Sequence, residues 1–109
     1  GANTLNQANN LRLNNGSYLN WWYSNDYTTN GAFNRGNVVS VRYNGVNRTG
    51  WMNNAATAAA ASSGYTNAAG PQYLGKDIQN LYLNGELHNV FIFGSSISDA
   101  DRNICEEIL

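Results

Sequence analysis
The sequence predicts an all-β fold: an antiparallel β-sandwich with one short helix at its C-terminal end. Three observations predict it. Twenty of the 109 residues are Asn and eleven are Gly, residues that turn a chain tightly by accepting positive φ or by bonding their own backbone. Between them lie short runs rich in Val, Tyr, Trp and Phe, which suit a pleated, half-buried surface. Only the end of the chain carries a helix cap followed by apolar residues at helical spacing.

The elements follow in order. Four Asn-Gly pairs, Asn15-Gly16, Asn30-Gly31, Asn44-Gly45 and Asn84-Gly85, suit type I′ hairpin turns because both residues tolerate positive φ. Their spacing is uneven and their flanks do not repeat, so they share turn chemistry without forming a repeat. Residues 18–23, Tyr-Leu-Asn-Trp-Trp-Tyr, read as an aromatic strand. Residues 38–43 alternate, with Val39, Val41 and Tyr43 on one face and Ser40 and Arg42 on the other. Residues 49–53 and 72–75 read as further strands. Residues 86–93 end in Val90-Phe91-Ile92-Phe93, a continuous apolar run that predicts a central strand covered on both faces.

Residues 55–69 are rich in Ala and hold no large apolar side chain before Tyr65. Good helix propensity does not hold a short helix together without a docking face. A loop or a plain strand of small side chains is expected there. At the end, Ser98 can cap a helix starting at Asp99, with Asp101 in the place of the capping-box acid. Asp99 and Asp101 suit the positive end of the helix dipole, whereas Glu106 and Glu107 need a cation or solvent. Ile104, Cys105 and Ile108 make one apolar stripe.

Composition narrows the function. A chain of 109 residues and 11.9 kDa makes one domain, residues 1–109. Only 12% of residues are charged and the net charge is −1. Nucleic-acid binding needs clustered Lys and Arg to displace counterions, so no nucleic-acid partner is expected. No run approaches the roughly 18 apolar residues of a membrane-spanning helix, so no membrane insertion is expected. One cysteine, Cys105, and one histidine, His88, exclude an intrachain disulfide and a four-ligand structural zinc site.

Residues 37–109 resemble the C-terminal half of the concanavalin A-like lectin/glucanase superfamily in its laminin-G-like form. The matching pieces are the strand and turn of 38–45, the strand of 49–54, a variable loop at 55–70, and the short strand of 72–75. The strand of 82–93 and the helix of 97–109 follow. The most specific part runs from Tyr82-Leu83-Asn84-Gly85-Glu86-Leu87 to Ile97-Ser98-Asp99-Ala100-Asp101-Arg102. The chain departs from the family pattern at Asn89, where an acid is usual, at His88, where a small residue is usual, and at Asn54, where the turn usually has Gly. The resemblance implies a jelly-roll sandwich and a lectin-like, non-catalytic role in binding or adhesion outside the cell, on a cell surface or on a virion. The chain is also shorter than the family's sandwiches. Missing or shortened N-terminal strands would leave open sheet edges and an uncovered core face. The expectation is therefore a piece of a longer polypeptide, or an oligomer or larger assembly whose neighbouring chains cover the gap.

Candidate chemistry is sparse. Glycoside cleavage needs two carboxyls facing one cleft. Among the seven acids, only Glu86 falls in an expected strand, so no enzyme is predicted for this segment. A fragment of a glycoside hydrolase is the alternative, with its acidic strand elsewhere. His88 and Cys105 read as a strand residue and a small core hydrophobe rather than a nucleophile–base pair. No cofactor is expected. Calcium ligation by Asp26 with Asn25 and Asn30, or by Asp77 with Asn80, is less favoured than local turn bonding. The aromatic residues are the best signal. Trp21, Trp22, Tyr23 and Tyr27 cluster around Asp26, and Trp51 lies close to Asn53. Rings rimmed by Asn and Asp suit the C–H faces and hydroxyls of a glycan. Adjacent strand residues point to opposite faces, so Trp21 and Trp22 are not both expected in the core. The alternative is that these rings are core residues or anchors for neighbouring protein chains in a phage-fibre or capsid-decoration domain.

Overall fold
In a computed structural model of the chain, the described residues are 10–14, 17–22, 26–30, 36–61, 69–70, 72–76 and 79–108. They form two small antiparallel sheets and one helix.

The first sheet has the order β1 (Asn10–Asn14), β2 (Ser17–Trp21), β3 (Tyr27–Asn30). Asn14 stands opposite Ser17, so a two-residue connection joins β1 to β2, the length an Asn-Gly pair serves well. That pair, Asn15-Gly16, lies outside the described residues, as does Gly31 beyond β3. Strands β1 and β3 are polar enough that the sequence pattern did not mark them. They form because β2 offers its backbone on both sides.

The second sheet is built on β5 (Asn47–Met52), flanked on one side by β4 (Val39–Tyr43). Its other side carries β6 (Ala55–Ala56) and β7 (Ala60–Ala61), two pieces of one interrupted strand. The Ala-rich segment thus begins as a plain strand of small side chains. The type I′ turn does not fall on Asn44-Gly45. Tyr43 pairs with Arg48, leaving a four-residue loop, and of its residues only Gly45 has positive φ. The two-residue turn falls on Asn53 and Asn54, with φ of 49° and 67°, between paired Met52 and Ala55. Asn tolerates the left-handed region better than other residues with side chains, so Asn-Asn replaces Asn-Gly here.

The sheets meet where β5 passes β3. A Cβ at Gly50 would stand 2.0 Å from Thr29 Oγ1 and 2.9 Å from Tyr27 Cε1. Only glycine permits this approach. The Gly50 N–H donates to the Tyr27 hydroxyl at 3.0 Å, and that hydroxyl donates to the Ala58 carbonyl at 3.0 Å. One phenol thereby ties the first sheet to β5 and to the break between β6 and β7.

The opposite face of the second sheet receives α1 (Asp99–Ile108). Ser98 caps it: the Asp101 N–H donates to Ser98 Oγ at 3.1 Å, and that hydroxyl donates to Asp101 Oδ2 at 2.7 Å. The acid thus reaches the capping hydroxyl, where a full capping box would reach the backbone N–H. The expected apolar stripe is not the docking face. Ile104 and Ile108 are exposed and Cys105 is half-buried, while Arg102 is the buried residue of the helix. Ser40, Arg42 and Trp51 on the facing side of the sheet are polar or cation-binding, so the polar flank of the helix fits them better.

The chain is therefore β-rich with a C-terminal helix; among the described residues the two sheets are not closed into the expected jelly-roll, and each ends in an edge strand. Two expected strands are also absent. Residues 72–75 form none, and only an isolated bridge between Lys76 and Tyr82 stands near them. Residues 86–93 form no strand and remain exposed. A central strand needs a neighbour on each side and a layer on each face, and no described strand lies beside this one.

Candidate functional site
The buried cluster between the sheets forms around a cation. Arg48 points inward from β5, because its alternate neighbours Asn47 and Thr49 take the other face. Its guanidinium lies 4.0 Å from the Trp22 ring centroid and 5.8 Å from that of Tyr27. It donates to the Asn20 backbone carbonyl at 2.9 Å and to Asn20 Oδ1 at 3.2 Å. Trp22 meets Tyr43 edge to face, 4.8 Å between centroids. Burial lowers the Arg48 pKa from its ordinary value, while the negative charge of Asp26 pulls it back up.

The sequence-predicted aromatic residues separate into two groups. Trp22 and Tyr27 are 2% and 4% exposed and belong to this inter-sheet cluster; Trp51 is 6% exposed on the other face of the second sheet. There the Arg42 and Arg102 guanidiniums lie 5.1 Å and 4.3 Å from the Trp51 ring centroid. These three rings are core, with no open face for a sugar, and they form no shared platform. Asp26 is exposed and its Oδ1 accepts the Trp22 N–H at 3.2 Å. Asn53 is exposed but engaged in its turn: Oδ1 accepts the Val38 N–H at 3.0 Å and Nδ2 donates to Asn37 Oδ1 at 2.9 Å. Tyr23, the side chain of Trp21, and the calcium candidates Asn25 and Asp77 lie outside the described residues.

The acids have local partners. Arg42 donates to Asp99 Oδ1 at 2.6 Å, and Arg102 to Glu106 Oε1 at 2.6 Å. Ser40 Oγ donates to the same Glu106 oxygen at 2.6 Å. Glu106 thus has the cation its place at the helix end requires, and Glu107 has solvent. Glu86 Oε2 stands 3.3 Å from His88 Nε2, with both side chains exposed. Among the described residues, no three His, Cys, Asp or Glu side chains are grouped to hold a metal ion. No described helix is long and apolar enough to cross a membrane.

The exposed surface the sequence reading missed is apolar. Phe91 is 48%, Ile92 77% and Phe93 50% exposed, and Leu87 and Val90 are exposed beside them. Phe91 and Phe93 lie 6.5 Å apart between ring centroids. An open groove of about 560 Å³ runs between Leu74–Gly75 and the side chains of Leu83, Leu87, His88 and Val90. The run Val90–Phe93 was visible in the sequence as a hydrophobic strand, but nothing in it told that its faces would stay uncovered.

Comparison with known protein families, with curated proteins and with solved structures finds no match.

Proposed function
We propose that this chain is a non-catalytic binding module of the concanavalin A-like kind, working within a larger surface or virion assembly outside the cell. Its partner is a neighbouring polypeptide, engaged through residues 86–93. One observation carries this reading: the most apolar stretch of the chain is exposed and belongs to no strand. Large apolar patches on a soluble surface mark interaction sites. Eight residues of strand composition without ladder partners also suit strand addition, in which backbone bonds supply affinity and alternate side chains supply specificity.

Glycan binding ranks second. The burial of Trp22, Tyr27 and Trp51 takes three of its rings out of reach of a sugar, and among its described residues Asp26 and Asn53 are the exposed ones.

The test is the native mass of the particle carrying this chain, by light scattering on material from its source. A multimer or larger assembly is expected. Ile92→Asp should release it into smaller species, because a buried unpaired charge is costly at an interface and harmless at an exposed position. A monodisperse single chain near 11.9 kDa with cooperative unfolding would overturn the proposal. Retention on a glycan array that Asp26→Ala abolishes would favour the second reading.

A further inference from the structure
The four Asn-Gly pairs share turn chemistry, but the two that the structure describes in full have different surroundings. Asn44 is held. Its Oδ1 accepts the Val46 N–H at 3.0 Å and the Asn47 N–H at 2.8 Å, and its own N–H donates to the Asn47 carbonyl at 3.2 Å. The Tyr43 hydroxyl donates to the Gly45 carbonyl at 2.8 Å. Asn84 and Gly85 belong to no helix or strand, and both are exposed. Among the described residues, no side chain or backbone group bonds the Asn84 carboxamide or the Gly85 N–H. A Cβ placed on Gly85 would meet only Leu83, at 3.8 and 3.9 Å, so the backbone there is open and unhindered.

We propose that Asn84-Gly85 is a site of spontaneous deamidation in the folded protein, and that the turn protects Asn44-Gly45 from the same reaction. The Gly85 nitrogen attacks Cγ of Asn84. A new N–C bond closes a five-membered succinimide, the bond from Cγ to the side-chain nitrogen breaks, and ammonia leaves with the proton lost from the Gly85 N–H. Water then opens the ring at either carbonyl, leaving aspartate or isoaspartate in place of Asn84. The net change is one water consumed and one ammonia released, with no oxidant or cofactor. The reaction requires the Asn side chain to rotate freely onto the next backbone nitrogen, and glycine, lacking Cβ, obstructs that rotation least. At Asn44 the carboxamide must first abandon two backbone donors. The loss of two hydrogen bonds slows the reaction there by about tenfold or more. The product at position 84 adds a negative charge beside Glu86, in a chain whose net charge is −1. The inference stands whether or not residues 86–93 engage a partner.

The experiment is peptide mapping by mass spectrometry of the full chain incubated at mildly alkaline pH, with enzymatic isoaspartate labelling. The peptide holding Asn84 should convert at least about tenfold faster than the one holding Asn44. In denaturant the two rates should converge. Asn84→Gln should remove the early product and leave the slow one. Equal rates in the folded chain, earlier conversion of Asn44, or a difference that persists undiminished in denaturant would each overturn the proposal.

Discussion

Arg48 and Trp22 stack inside the protein, the guanidinium 4.0 Å from the ring centroid, with 1% and 2% of their surfaces exposed. Each solves the other's problem. The ring face offers the cation an electrostatic partner where water is excluded. The guanidinium's Nη1 donates to the Asn20 carbonyl and to Asn20 Oδ1.

This stack predicts that Arg48→Ala destabilises the chain by about 3–5 kcal/mol, through the cavity, the lost stacking and the stranded Asn20 acceptors. Arg48→Met keeps the apolar stem and removes the buried charge, so it should cost less than half as much. Urea unfolding followed by tryptophan fluorescence measures both. Equal losses would show that the charge, not the packing, holds the sheets together.

Gly50 should tolerate no side chain. Gly50→Ala places a methyl group against Thr29 and Tyr27, and overpacking of this kind costs about 1–3 kcal/mol. Thr29→Ala introduced with it removes the nearest contact, so the double variant should lose less than the two single losses added together. Strict additivity would mean the sheets separate freely at this point.

Thr29 carries a buried hydroxyl with no hydrogen-bond partner among the described residues. Thr29→Val keeps the shape and removes the unsatisfied group. It should leave stability unchanged or raise it by about 1 kcal/mol. A loss of that size in thermal unfolding would mean the hydroxyl has a partner in solution.

Helix docking should depend on Arg102 and Glu106 as a unit. Their side chains are 9% and 8% exposed, and the pair runs Arg before Glu, the less favourable order along a helix. Its contribution therefore comes from the packing against the second sheet, where Asn54 in the turn and Ser40 in β4 add hydrogen bonds. Arg102→Ala and Glu106→Ala should each cost about 3 kcal/mol, because each strands a buried charge. A double-mutant cycle should give a coupling of about 1 kcal/mol or more. A coupling near zero would mean that each residue acts alone.

Local signals in the sequence were reliable where one residue's chemistry decides a conformation. The alternation through Val39, Val41 and Tyr43 predicted a strand with Ser40 and Arg42 on its far face, and Ser40 and Arg42 do meet the helix. Ser98 and Asp101 marked the helix start. The Ala-rich run became a plain strand at its two paired ends. The turn at Asn53–Asn54 stood out only through the resemblance, since its two-residue length is set by the pairing of Met52 with Ala55.

By itself, the sequence determined the β-rich character of the chain, the strands β2, β4 and β5 to within a residue or two, and the capped C-terminal helix, because periodicity, propensity and caps are local. Only the tertiary structure decided which surfaces are covered. Trp22, Tyr27 and Trp51 went into the core because cations and a glycine brought the layers close around them. The helix docked by a charged pair where its apolar stripe was expected. The apolar run at 90–93 stayed exposed, because burial of a strand depends on neighbours that its own residues cannot supply.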